Sequence, residues 1–411
     1  MTTTTILWII LAIYITDFAF ERFLGWLNTT RWSNVIPEVL KGIYDEKEYK
    51  RQQDYSKVNY KFGRYLAYLT FILVSAMLYT GVFGLLDNYI ATQLTQNSIL
   101  QALIFFGLLG LASEILGIPF ELYATFNIEE RFGFNKMTHK TYIFDKLKSW
   151  LLAAIVGGGL LALIIWIYHK IPDYFWLIAW GIIALLSVLI SMFYTSLILP
   201  LFNKQSPLEE GSLRNKIEAF SQKVGFKLDN IYVMDGSKRS TKGNAFFSGL
   251  GPRKRIVLYD TLINDLSEEE IVAVLAHEVG HQKKNHIVQA TILSLLNSGL
   301  MFYILSLFLG NEKLCQALGA EQASFHLSLL AFGILYTPIS FFLGILMSLF
   351  SRKNEYEADA FAKQHYGADF LISGLKKLSV KSLSNLQPHP LYVFCYYSHP
   401  TLLQRIDKLS K

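Results

Sequence analysis

The stretch "VLAHEVGHQKKNH" (274–286) sets two imidazoles and a carboxylate within five residues: His277, Glu278 and His281. On a helix, side chains four residues apart share a face, so His277 and His281 can grip one ion from the same side. HExxH is the spacing of zinc hydrolases, in which two neutral imidazoles hold the metal and the intervening glutamate, here Glu278, acts as general base. The ion brings the pKa of a coordinated water toward neutrality and polarises a carbonyl, and the glutamate takes the proton as the water attacks. That chemistry is peptide hydrolysis with one Zn2+ per chain. The set is incomplete, because a catalytic zinc takes a third protein ligand and keeps its fourth position open.

A helix must position these residues, and the sequence signals one. Ser267 followed by Glu270 is a capping-box pattern just ahead of "IVAVLAHEVGH". Upstream, "KLDNIYVMD" and "RKRIVLYDTLI" have the β-branched and aromatic content of strands, and "GNAFFSGLG" between them reads as a third short strand bounded by glycines. Downstream, "HIVQATILSLLNSGLMFYILSLFLG" is long and apolar enough to cross a bilayer.

That last feature extends to the whole chain. Of 411 residues, 52% are hydrophobic and 17% charged, the composition of a multi-span membrane protein rather than of two or three soluble domains. Seven stretches reach the roughly 20 residues a span needs: 4–24, 64–86, 97–121, 150–168, 174–200, 286–310 and 323–350. The N-terminus lacks the basic region and cleavage site of a secretory signal, so it reads as a retained first span. Lysines and arginines alternate between the connecting segments. Nine lie at and beyond the end of span one and five follow span three, whereas the segment after span two has none. Lys170 and Lys313 stand alone in the other two outer segments. The bias places the N-terminus outside and the C-terminus in the cytoplasm, with the soluble stretches 204–285 and 351–411 on the cytoplasmic side. The net charge of +6 is too small and scattered for a nucleic-acid partner. Cys315 and Cys395 fall on opposite sides of the membrane and read as free thiols.

The topology supplies the third ligand. Spans six and seven form a hairpin, so a chain leaving the cytoplasmic face after His281 returns to it at "SRKNEYEADAFAKQ". If 352–366 is helical, Glu355 and Asp359 share a face and Glu357 points away. Glu355 is then the metal ligand, and Asp359 bonds a ligating histidine from behind.

"AHEVGHQKKNH", "SRKNEYEADAFAK", "FYTSLILPLFNKQSPLEEGSLRNKIEAFSQKVGF", "VMDGSKRSTKGNAFFSGLG", "YYSHPTLLQRI" and "PFELYATFNIEERFGFNKMT" together resemble the type I CAAX prenyl endopeptidases over nearly the whole chain. The resemblance implies a mainly α membrane protein of seven helices enclosing a water-filled chamber, with a cytoplasmic zinc-protease part containing a small sheet. It implies zinc on His277, His281 and Glu355 with Glu278 as base. It further implies that Asn244 binds substrate backbone, with Ala245 and Phe246 on a strand that receives the peptide as an added strand. His399 and Arg405 would stabilise the oxyanion or hold the peptide. His286 matches the family pattern too; a fourth ligand would close the site, so a structural or interfacial role is assigned. Asp17 and Glu114 fall inside spans and are placed as chamber-lining. The glycines of "VGGGL" (156–160) would permit close helix approach.

The expected organisation is 1–203 as five spans with their loops, 204–285 as the protease part with the HExxH helix, 286–350 as spans six and seven, and 351–411 as the part carrying the third ligand. The expected activity is endopeptidase cleavage at the cytoplasmic face, on a prenylated C-terminal CaaX substrate presented by the bilayer, by a monomer in a bacterial inner membrane or the endoplasmic reticulum. Two alternatives stand: a membrane-protein quality-control zinc protease with unprenylated substrates, and a non-enzymatic metal-binding transporter. A transporter has no need of Glu278.

Overall fold

The computed structural model describes residues 1–226, 231–248 and 255–411. Five long helices open the chain: α1 (Thr3–Thr29), α2 (Glu46–Thr80), α3 (Ser98–Glu129), α4 (His139–Lys170) and α5 (Pro172–Phe202). Their starts are capped by short polar side chains, Thr2 for α1, Asp45 for α2 and Asn97 for α3, each accepting from an otherwise unpaired backbone N–H. Gly81, at φ +70°, ends α2 in the left-handed conformation that glycine adopts without strain. Helix α2 also begins well before the apolar stretch predicted from residue 64, so the basic segment ahead of span two is itself helical.

A soluble part follows. Strand β1 (Gln205–Pro207) precedes α6 (Ser212–Lys223), and then come β2 (Ile231–Met234), β3 (Ala245–Ser248) and β4 (Arg255–Tyr259). The sheet order is β1-β2-β4-β3, with β2 parallel to β4 and both outer pairs antiparallel. Three strands match the sequence reading; β1 is additional. Positions 227–230 and 249–254 of the two predicted strand stretches and the glycine segment lie outside the described residues.

Helix α7 (Glu268–Lys283) carries the HExxH sequence and is followed across a two-residue break by α8 (His286–Phe308). Span seven is a bent pair, α9 (Phe325–Leu335) and α10 (Thr337–Tyr366), meeting at 55°. The bend falls at Tyr336, two residues before Pro338, where the ring excludes the backbone hydrogen bond. Helix α10 runs unbroken through Glu355, so the span and the helix bearing the third candidate ligand are one rod. Helices α11 (Ala368–Lys381), α12 (Pro390–Tyr396) and α13 (Leu402–Ser410) complete the chain.

The core of the soluble part packs α7 between the sheet and the C-terminal helices. Ile217 and Phe220 of α6, Ile256 and Leu258 of β4, Ile271, Leu275 and Val279 of α7, Ala362 of α10 and Leu371 of α11 are all buried together. The bundle is different. In the most apolar window of each of the six straight spanning helices no more than 11% of the residues are buried. A solid bundle would bury a full stripe on every helix; these spans leave most of their apolar surface uncovered by protein. The glycine run corrects an expectation: Ala153–Gly158 forms a π-helical turn, and a Cβ added at Gly157 or Gly159 would meet nothing within 4 Å. At Gly158 an added Cβ would lie 3.9 Å from Leu103 Cδ2 of α3, an ordinary contact, so the run does not force a close helix approach.

Close packing does occur at the opposite end of the bundle, where the short helix Val82–Tyr89 meets the segment between α8 and α9. The Gly84 N–H donates to the Leu318 carbonyl at 2.9 Å, and a Cβ on Gly84 would lie 2.0 Å from the Gly319 carbonyl carbon. Beside it Asp87 and His326, both buried, share a 2.6 Å hydrogen bond. We expect Gly84→Ala to cost about 1–3 kcal/mol through overpacking, lowering the thermal midpoint by a few degrees, while Gly107→Ala, which meets nothing within 4 Å, leaves it unchanged. Equal midpoints for the two variants in a melting experiment would refute the contact as a determinant of stability.

Candidate metal centre

The rotation of α7 is fixed at its first turn. The Ser267 side chain accepts from the Glu270 N–H, and the Glu270 carboxylate accepts from the Ser267 N–H, forming a reciprocal cap. Glu270 also accepts from Ser373 Oγ at 2.6 Å and pairs with Lys377 at 2.7 Å, tying α7 to α11. With α7 so held, His277, Gly280 and His281 face α10. An added Cβ at Gly280 would lie 3.0 Å from Ala358 Cα and 3.1 Å from its carbonyl oxygen. Only a residue without a side chain lets the two backbones approach this closely, and that approach delivers Glu355.

Ligand atoms of His277, His281 and Glu355 all lie within 4.8 Å of one another. The two Nε2 atoms are 3.2 Å apart, with Glu355 Oε1 3.3 Å from His281 Nε2 and Oε2 3.5 Å from His277 Nε2. Behind each imidazole the hydrogen bonds fix the tautomer. His277 Nδ1 donates to Asp359 Oδ1 at 2.8 Å. His281 Nδ1 lies 3.0 Å from His286 Nδ1, and His286 Nε2 lies 3.2 Å from Glu357 Oε2. A carboxylate only accepts, so His286 gives its Nε2 proton to Glu357 and its Nδ1 accepts from His281. Both ligating rings therefore carry their protons on Nδ1 and turn bare Nε2 lone pairs toward Glu355.

Three electron-pair donors thus converge with no proton among them, and buried Glu355 Oε2 has no hydrogen-bond partner. A divalent cation is what such a donor set fits: two imidazoles, one carboxylate and an open fourth side. When no cation is there a proton takes its place. Burial opposes that charge on His277, but the carboxylates of Asp359 and Glu355 on either side of the ring outweigh it and push the imidazole up to about 9. Metal loading must then displace a proton.

Glu278, next to His277 and half-buried, is not among the converging atoms. Burial is the largest influence on its carboxyl and holds it above the ordinary glutamate value, closer to the neutral range in which a proton acceptor can also return the proton.

Arg405 reaches both the support behind His277 and the ligand carboxylate itself, with Nη1 3.8 Å from Glu355 Oε2. Its Nε donates to Asp359 Oδ2 at 2.9 Å and its Nη2 to Oδ1 at 2.6 Å, and Nη2 is 3.3 Å from His277 Nδ1, on the far side of the ring from Nε2. The guanidinium braces the carboxylate that orients His277. His399 lies on the open side: its imidazole is 63% exposed, with Nε2 3.3 Å from Glu355 Oε1. Its segment is held by Arg352, which donates to the carbonyls of Val393, Phe394 and Tyr397 at the end of α12.

Strand β3 is an edge of the described sheet and contacts α7. The Asn244 carbonyl accepts from Tyr259 N–H on β4 at 3.0 Å, which turns the Ala245 N–H outward to the free edge. There Asn244 Oδ1 accepts from it at 2.8 Å. The open backbone groups of the edge thus belong to Ala245, Asn244 caps them, and Phe246 faces back into the sheet pairing opposite Val257. Glu114, inside α3, is ion-paired with Lys146 at 2.8 Å and accepts from Trp150 Nε1 at 3.0 Å.

Sequence reasoning missed the roles of Arg352 and Glu357, and it gave His286 a structural or interfacial role without finding its partners. The one available signal was Asn285, a residue tolerant of the left-handed conformation it adopts here (φ +57°). That break turns α8 so that His286, five residues on, meets His281.

The chain matches two family models along almost its full length: the CAAX prenyl protease N-terminal region with five membrane helices over residues 26–204, and peptidase family M48 over residues 207–411. CAAX prenyl protease 1 of Saccharomyces cerevisiae is 35% identical, covering 96% of this chain and 93% of that protein. The CAAX prenyl protease 1 homolog of Oryza sativa subsp. japonica is 36% identical over 91% and 90%. A crystal structure of Ste24p from S. mikatae aligns with a TM-score of 0.92 at 35% identity and covers 99% of each chain.

Metal content, measured by mass spectrometry on purified protein, separates the ligands from their supports. Glu355→Gln should lose the metal, whereas His286→Ala should weaken retention about 10- to 100-fold. Unchanged metal affinity in His286→Ala would remove the relay from the site.

Proposed function

Because the chain belongs to peptidase family M48 and carries the CAAX prenyl protease N-terminal region, we propose that this integral-membrane metalloendopeptidase holds one Zn2+ on His277, His281 and Glu355 and cleaves prenylated CaaX peptides on the carboxyl side of the modified cysteine. The observation that carries the reading is Glu278, a half-buried carboxylate beside the converging ligands that is not one of them. A structural metal site has no use for it. The transporter alternative is not favoured by the family, and neither is quality control.

When bound, the ion supplies Lewis acidity toward the scissile carbonyl and lowers the pKa of the attacking water. The residues do the rest. The peptide is aligned as an added strand on the free edge of β3, exchanging backbone hydrogen bonds with Ala245 while Asn244 withdraws or shares its own. Glu278 accepts the proton from the attacking water and passes it to the leaving amine. His399, exposed on the open side, donates to the developing oxyanion. Asp359 and Arg405 keep His277 in the required tautomer, and His286 with Glu357 does the same for His281.

The lysine and arginine asymmetry supports an active site at the cytoplasmic face with the N-terminus outside. A prenyl chain partitions into the bilayer and presents its peptide at that surface. All ligands come from one chain, so a monomer suffices.

Two experiments test this. Glu278→Ala should retain about one zinc per chain and lose cleavage by a factor of 100 or more, on the order of a general base's contribution; residual activity near wild type would reject Glu278 as base. A farnesylated CaaX peptide should be cleaved with higher kcat/KM than its unprenylated twin, and equal values would discard lipid presentation.

A further inference from the structure

A second cavity, of about 330 Å³, opens where α1, α2 and α12 meet, and none of its lining residues is placed at the metal centre. Two arginines line it, Arg22 from α1 and Arg64 from α2, together with Glu21, Tyr60, Tyr392 and Tyr396. Arg22 Nε is buried without a hydrogen-bond partner. The nearest carboxylate to Arg22 is its own neighbour Glu21, 3.4 Å from Nη2 and about half exposed. Arg64 lies over the Tyr60 ring, 5.7 Å from its centroid. Gly63 also lines the cavity, and a Cβ there would meet nothing within 4 Å.

Two guanidinium groups on one small cavity repel each other unless an anion joins them, and their paired N–H donors match the oxygens of a phosphate. Their level in the membrane narrows the anion. Arg22 lies in the final third of α1 and Arg64 at the start of the apolar stretch of α2, both at the end of the bundle nearer the soluble part, among the tyrosines that favour the headgroup zone. Basic pockets between membrane helices at this depth suit lipid headgroups. Glu21 would repel a bare phosphate, yet beside the Tyr392 and Tyr396 rings that line the same cavity it suits an ammonium. The volume is at the lower end of the roughly 300–1,000 Å³ of ligand pockets, room for a headgroup but not for acyl chains.

We propose that this cavity binds the headgroup of an amine-bearing membrane phospholipid, with phosphate on Arg22 and Arg64 and ammonium beside Glu21 and the tyrosine rings. Occupancy also braces α12. Tyr392 and Tyr396 form one wall, the Asn28 side chain ties α12 to α1 by accepting from the His389 N–H at 2.7 Å, and His399 follows three residues after Tyr396. A bound lipid would therefore steady the segment that carries His399.

Thermal unfolding of the full chain in detergent micelles tests this, with added phosphatidylethanolamine, phosphatidylglycerol or glycerol 3-phosphate. Phosphatidylethanolamine should raise the midpoint saturably in the wild type and in the control Lys411→Gln. Arg64→Gln should need about tenfold more lipid for the same rise, and R22Q/R64Q should show none. Among the described residues Arg64 makes no hydrogen bond or ion pair and stacks on the Tyr60 ring, so the single variant decides the matter should the double variant not fold. Equal titrations in wild type and Arg64→Gln overturn the site. A rise with glycerol 3-phosphate as large as with lipid assigns a free anion instead, and equal rises with the two lipids overturn the ammonium-bearing headgroup.

Discussion

The contact on which this structure turns is the approach of two backbones at Gly280 and Ala358. Helix α7 carries two imidazoles and α10 carries one carboxylate, and neither can hold a metal by itself. Any side chain at Gly280 would separate the helices by pushing on Ala358 backbone, which cannot rotate away. The bundle, the soluble core and the caps all hold these two helices against each other: Glu270 anchors α7 to α11, and the apolar cluster around Leu275 and Ala362 fills the space beside the contact.

Around that contact the protein spends buried polar groups on direction rather than on ligation. Asp359 and Arg405 stand behind one histidine, and His286 and Glu357 behind the other, so that each ring shows a lone pair to the same point. Desolvation would make a buried carboxylate or guanidinium costly alone, but in pairs each satisfies the other. The two supports differ in kind: one is a charged pair closed off from solvent, and the other is a neutral relay ending on a half-exposed glutamate.

Much of this was legible in the sequence, because its signals are local or topological. HExxH at helical spacing, the capping box at Ser267 and seven apolar stretches each depend on a few neighbouring residues. Glu355 became legible through the hairpin of spans six and seven, which turns 78 residues of separation into proximity. What escaped depends on where separate elements come to rest. Arg352 reads as one more cytoplasmic cation until α12 is docked against it. The family resemblance points to Arg405, but its bond to Asp359 depends on how α13 packs and has no local signal. The "VGGGL" run has the composition of a close helix contact, but only Gly158 meets a neighbour, Leu103 of α3, and at ordinary van der Waals distance.

The unbroken course of α10 from the membrane into the site has a consequence for how such a chain can change. Loops absorb inserted or deleted residues by rearranging, and helices do not. Each residue added between Pro338 and Glu355 would turn the carboxylate by about 100° and lift it by about 1.5 Å. The length of span seven below its bend is therefore fixed from the metal outward, and the connection beyond α8 is where length can change without turning Glu355.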